Sequence, residues 1–213
     1  MPERWRDDAR GVYSARIPPM AAIPVNPDDV MSFPNQAKWR TWLAKNHAKS
    51  DGIFLRIYKK ASQVPTVDYK QALDEALCYG WIDSVKKVYD DVSYLQRFSP
   101  RRKRSLWSQV NIAKVAELIK AKKMMEPGMK EIERAKADGR WDAAYHPAST
   151  ARIPDDLQAV IDGNPKVKEF VATLSKANTY AMIWRLSTAK RPETREKRFK
   201  EIVRMLKEGK RFH

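Results

Sequence analysis

The stretch WIDSVKKVYDDVSYLQRF, residues 81–98, sets two runs of aromatic and β-branched residues on either side of Asp90-Asp91. Such runs around a turn-forming pair predict strands at Trp81–Tyr89 and Val92–Phe98, joined as a β-hairpin that Pro100 ends. Upstream, Gly52–Lys60 (GIFLRIYKK) predicts another strand. Asp68–Tyr79 predicts a helix: Asp68 and Gln71 have capping-box spacing, Tyr69, Leu73, Ala76 and Leu77 share one face, and Gly80 supplies the stop. Asn35–His47 is a helix by its Trp39, Trp42 and Leu43 spacing. Downstream, Ser105 or Ser108 caps a helix with Ile112, Val115, Ala116 and Ile119 on one face. Pro127, placed at the first helical position, starts a further helix that Gly139 stops.

Residues 143–153 are rich in Ala, Ser, Thr and Pro without a period, as in a linker, and helical patterns fill the rest. The expected fold is α+β: a small antiparallel sheet packed with helices, followed by a C-terminal all-helical module. The expected division is a flexible N-terminal extension over 1–20, an α+β domain over 21–145 and a helical module over 152–213.

The chain has 213 residues, 42 Lys+Arg against 26 Asp+Glu, a net charge of +16 and 43% hydrophobic residues. That apolar content is enough for a core and excludes whole-chain disorder. A single cysteine excludes an intramolecular disulfide framework and any multi-Cys zinc site. No run approaches the ~18–20 apolar residues of a membrane span. Residues 1–20 hold charges throughout and no apolar leader core, so the cytoplasm is the expected compartment. The charge excess is spread over both halves, apart from one dense cluster.

That cluster is the candidate site. Arg97, Arg101, Arg102, Lys103 and Arg104 precede Ser105, Trp107, Ser108 and Asn111, at the end of a strand, a turn and the start of a helix. Helix N-termini favour anions, arginine forks fit phosphate or carboxylate, and Trp107 offers a face for stacking. The plain alternative is a solvated basic loop, with Trp107 in the core and the serines as caps. Tyr79 and Trp81 flank Gly80 nearby, and Asp83 shares a strand face with Trp81. On the hairpin's partner strand, Arg97 is a potential neighbour of Asp83, which would make Asp83 a weak candidate acid/base or half of a structural ion pair. Cys78, among apolar neighbours and without a histidine partner, reads as buried and inert. His47 reads as a helix C-terminal residue. No cofactor or metal is expected, since nucleotide-binding, metalloprotease and hydrolase signatures are all missing.

The strings WRTWLAKNHAKSDGIFLRIYKK (39–60), YKQALDEALCYGWIDSVKK (69–87), YLQRFSPRRKRSLWSQVN (94–111) and AKADGRWDAAY (135–145), with the C-terminal residues 164–209, resemble the YdeI/OmpD-associated family, also called bacteriocin-protection proteins. The resemblance runs over roughly residues 30–213. It implies a role in resistance to cationic antimicrobial peptides and an association with the envelope, and it brings no agreed catalytic residues.

Three function classes follow. One is a binding module for a small anionic ligand or a polyanion, with nucleic acid permitted but not demanded by the charge. Another is an enzyme on a small anionic substrate, held by Arg101, Arg102 and Arg104, with Asp83, Ser84 or Tyr79 moving protons. The last is a non-enzymatic stress-resistance factor, for which direct capture of cationic peptides by a +16 protein is the weakest mechanism. Oligomeric state is not legible.

Overall fold

The computed structural model describes residues 25–212; the expected extension over 1–20 lies outside them. Its sheet has four strands, β1 (Val30–Met31), β2 (Ile53–Tyr58), β3 (Trp81–Asp90) and β4 (Ser93–Pro100), in the spatial order β1-β2-β4-β3. The expected hairpin is β3–β4, and β4 also pairs antiparallel with β2. The short β1 runs parallel to β2, so the sheet is mixed rather than wholly antiparallel. Two residues are too few to give a sequence signal, and Val30–Phe33 reads only as an apolar run.

Four helices accompany the sheet: α1 (Gln36–Asn46), α2 (Tyr69–Cys78), α3 (Gln109–Lys120) and α4 (Glu126–Ala137). Their starts follow local chemistry. Asn35 caps α1, Asp68 and Gln71 form the reciprocal capping box of α2, and Ser108 rather than Ser105 caps α3. Pro127 falls one residue into α4, which begins at Glu126. One sheet face, with Ile53, Leu55, Ile57, Trp81 and Phe98, joins Trp39, Leu43, Leu73, Ala76 and Leu77 in the principal core. Trp39, Trp42 and Trp81 meet there, the first two stacked at 5.4 Å and Trp81 edge-on to both.

Two faces differ from expectation. α3 turns Asn111, Val115 and Leu118 inward and leaves Ala116 and Ile119 exposed, so the buried stripe runs one position ahead of the Ile112–Ile119 row. Tyr69 sits at the rim of α2, where its hydroxyl donates to Asp83 at 2.9 Å. There the ring packs at the edge of the core while the O–H reaches a carboxylate.

The tail holds α5 (Asp155–Asp162), α6 (Pro165–Ala172), α7 (Lys176–Ser187) and α8 (Pro192–Lys207). Asn164 and Ser175 cap α6 and α7 through side-chain bonds to Val167 N and Asn178 N. Leu157, Ile161, Val167, Met182, Leu186, Ile202 and Leu206 form a second hydrophobic cluster, separate from the first. No helix among the described residues is long and apolar enough to cross a membrane.

Candidate functional site

The end of β4 fixes where the basic cluster lies. Gly80 takes a positive φ of 74° between α2 and β3, and its carbonyl accepts the backbone N–H of Arg101 at 3.0 Å. Trp81 opposite Pro100 is the last ladder pair, and the chain then turns through 101–107 to Ser108 at the cap of α3. On the far side of this loop, Tyr145 and Trp107 share a backbone bond of 3.0 Å, and Gln109 donates to the Tyr145 carbonyl at 3.0 Å. The loop is thereby clamped between the sheet and the segment leaving α4.

The basic run splits in two. Arg102, Lys103 and Arg104 are exposed. Arg101 is turned inward, 5% exposed, with its guanidinium carbon 3.6 Å from the centroid of the buried Trp107 ring. Trp107 in turn packs against Trp141 at 5.0 Å. Three arginines hold the loop through its carbonyls. Arg101 Nη1 donates to Leu106 O at 3.1 Å, Arg140 Nη1 to Ser105 O at 2.8 Å, and Arg134 Nη2 to Arg102 O at 3.4 Å. Ser105 closes the turn by accepting the Arg102 N–H at 2.9 Å.

What these bonds leave over is the informative part. Six buried side-chain polar atoms find no hydrogen-bond partner among the described residues, and every one is an N–H donor. Five belong to this cluster: Arg101 Nε and Nη2, Trp107 Nε1, Arg134 Nε and Arg140 Nη2. An orphaned buried donor costs on the order of 1–3 kcal/mol, so five around one loop is an expensive arrangement that an acceptor would relieve. Desolvation pulls the Arg101 pKa down to about 10, with Arg140 pushing it the same way while Glu131, Tyr145 and Asp83 oppose. At neutral pH it still carries its charge. Arg140 is partnered by Asp138 at 2.7 Å and Arg134 by Glu131 at 2.5 Å, whereas Arg101 has no ion pair among the described residues.

Tyr79, Trp81, Asp83 and Arg97 stand outside the loop. Trp81 is core, its Nε1 donating to His47 O at 3.1 Å, and Tyr79 is buried against His47 at 5.3 Å. Arg97 is separated from Asp83 by the register. Asp83 faces Phe98 across the β3–β4 ladder, so Arg97 alternates to the opposite sheet face, where it lies over Phe54 at 5.2 Å and donates to Asp51 O at 3.3 Å. Ser108 and Asn111 are buried at the start of α3 beside the loop. Arg134, Arg140 and Tyr145 complete the cluster without having been singled out. They come from positions far along the chain; the string AKADGRWDAAY contains Arg140 and Tyr145, and Arg134 lies just before it.

Two surface grooves lie away from these residues, one of about 350 Å³ along α1 beside Phe33 and Trp42, the other of about 480 Å³ by Tyr180 and Ile183. Among the described residues no group of three or more His, Cys, Asp and Glu could hold a metal ion. His47 Nδ1 lies 2.9 Å from Leu43 O at the end of α1, a helix-terminal role. Cys78 is fully buried, and burial pushes its thiol up to about 11. At pH 8 native protein is therefore expected to release no chromophore from Ellman's reagent over minutes and one equivalent after denaturation. Prompt reaction of the native thiol would show that α2 opens locally.

Fold and loop together define an α+β protein with a helical C-terminal region and an arginine-braced turn between sheet and helix. Residues 150–209 match the family described as Bacteriocin-protection, YdeI or OmpD-Associated, and residues 31–131 match a Domain of unknown function (DUF8412). The tail, α5 to α8, thus carries the domain of the bacteriocin-protection family, and that gives the chain a family-level link to bacteriocin protection. The GWIDS and RFSPRR strings fall within the second match, not the first. No curated protein and no solved structure matches the chain.

Proposed function

We propose that this protein binds a small oxyanion, a phosphate, sulfate or carboxylate group, at the loop between β4 and α3. The observation that carries the reading is Arg101: buried, lacking a carboxylate partner among the described residues, flat on Trp107, with Nε and Nη2 unpaired. Its neighbours Arg140, Arg134 and Trp107 add further unpaired N–H groups. Donors of one kind without acceptors suit an anion better than a neutral ligand or a second cation. The site is braced by backbone carbonyls, so little reorganisation opposes binding.

A second reading rests on the outward half of the run. Arg102, Lys103 and Arg104 are exposed and suit a polyanion through its phosphates, without base reading. The catalytic reading has less support, because Asp83 accepts the Tyr69 hydroxyl and stands on the sheet rather than in the loop. Bacteriocin protection through capture of a cationic peptide is opposed by the +16 charge, so a protective role would run through an anionic intermediary.

The inward and outward halves are separable by titration. Inorganic phosphate is measured by calorimetry, and a labelled oligonucleotide by anisotropy at several salt concentrations. Arg101→Met should abolish phosphate binding and leave the oligonucleotide affinity within about twofold. Arg102→Ala with Arg104→Ala should do the reverse and lower the salt slope by about two, one for each lost contact. Wild type that binds none of phosphate, sulfate or citrate would refute the small-oxyanion reading.

A further inference from the structure

The far end of the sheet, away from the arginine-braced loop, has a different chemistry. Val88 at the tip of β3 is 86% exposed, Tyr89 49% and Val92 44%, and Val64, in the segment after β2, is 42% exposed. Val88, Tyr89 and Val92 stand on either side of the Asp90-Asp91 turn, so three exposed apolar side chains share one end of the hairpin. That end is tied to the end of β2: the backbone N–H of Lys59 donates to Val92 O at 2.8 Å, and Tyr58 stands opposite Ser93.

At the tip Asp90 is paired, while Asp91 stands exposed at the turn itself. Asp90 pairs with Arg56 at 2.6 Å and accepts from Ser93 Oγ at 2.6 Å and from Val92 N at 3.1 Å. Arg56 itself lies between the rings of Tyr58 and Tyr89, at 4.5 and 4.8 Å. Exposed Lys59, Lys60 and Lys86 ring the apolar end, Lys59 also donating to Asp91 O at 2.9 Å and Lys86 lying over Tyr94 at 4.1 Å.

We infer that the β3–β4 hairpin tip is a docking surface for an anionic bilayer, with Val88 and Val92 entering the headgroup–acyl boundary and the lysine collar meeting the lipid phosphates. Aliphatic side chains flanking the turn, with Lys59, Lys60 and Lys86 behind them outnumbering the one acid there unpaired among the described residues, Asp91, match a surface that is apolar inside and negative at its face. A nucleic acid fits less well, since valines offer no face for base stacking and the Tyr89 ring is already taken by Arg56. Edge-to-edge pairing with a second copy is discouraged too. β3 is the edge strand, and it carries lysines and two register shifts.

The test uses the full chain, with 7:3 phosphatidylcholine:phosphatidylglycerol vesicles and pure phosphatidylcholine vesicles. Wild type should float with the first and not with the second. Val88→Asp should bind the anionic vesicles at least about tenfold more weakly, with an unchanged circular dichroism spectrum. Because a +16 protein adsorbs to many anionic surfaces, a position-sensitive readout is needed. An environment-sensitive fluorophore on Val88→Cys should shift to the blue on anionic vesicles, while the buried Cys78 stays unlabelled. Flotation without a blue shift, or flotation indifferent to Val88→Asp, would overturn the inference in favour of plain charge adsorption. Oligonucleotide binding that Val88→Asp abolishes would overturn it in favour of nucleic acid.

Discussion

Arg101→Met is expected to unfold at the same temperature as wild type, or higher, in anion-free buffer, and to lose all stabilisation by phosphate. Arg101 contributes one hydrogen bond to Leu106 O, worth about 1 kcal/mol, and a contact with the Trp107 face worth about 1–2 kcal/mol. Against these stand a desolvated charge with no carboxylate partner among the described residues and two orphaned N–H groups. Replacing buried charge by an apolar side chain of similar volume is commonly neutral or stabilising by about 1–4 kcal/mol, and a methionine sulfur keeps a favourable contact with the indole. An anion changes the balance for wild type alone: at a hundredfold excess over Kd it adds about 2.7 kcal/mol. The two proteins should therefore exchange rank between chloride and phosphate at matched ionic strength, measured by thermal unfolding. If Arg101→Met were destabilised by more than about 2 kcal/mol in both buffers, Arg101 would be a structural brace and the binding reading would fail.

How much of this could be read from the sequence depends on whether the deciding interaction is local. The capping box of α2, the Asn164 and Ser175 caps and the β3–β4 hairpin are settled within a few residues, and their spacing displays them. The parallel pairing of β1 is non-local and only two residues long, so nothing in the spacing announces it. The stripe of α3 was displaced because Leu118 and Ile119 are equally apolar, and only the packing partner decides which one is buried.

The same distinction holds at the loop. Composition marks Arg101 to Arg104 as one block, but burial divides it after the first residue, since Arg101 N is tied to Gly80 O while the next three stand on the outside of the turn. Asp83 and Arg97 illustrate the cost of ignoring register. Both belong to the hairpin, yet strand alternation sends them to opposite faces. Arg140 is the residue whose role was least visible. It is almost wholly buried and hydrogen-bonded to Ser105, a position 35 residues earlier in the chain.

Gly128→Ala is expected to cost about 3 kcal/mol, and its origin joins the core to the site. Gly128 lies in the first turn of α4, pressed against the C-terminal end of α2. A Cβ built there would overlap the Cys78 carbonyl oxygen and come within 2.8 Å of both the Cys78 carbonyl carbon and the Leu77 carbonyl oxygen. All three are backbone atoms, and no rotamer change can move them aside. In an open helix the same substitution would stabilise, through propensity and reduced unfolded-state entropy, by up to about 1 kcal/mol. Here overpacking wins, because α2 and α4 must separate by several tenths of an ångström and strain the Met125 N to Cys78 O bond of 3.1 Å. The displacement would be carried along α4 to Glu131 and Arg134, and Arg134 bonds the loop at Arg102 O. Urea unfolding should show the lower midpoint with an unchanged slope, and phosphate affinity should fall in the same variant while Arg101 is untouched. A loss of less than about 1 kcal/mol would mean that the α2–α4 contact yields easily. Lost stability with undiminished phosphate affinity would mean that the loop is positioned by β4 and the 140–145 segment alone.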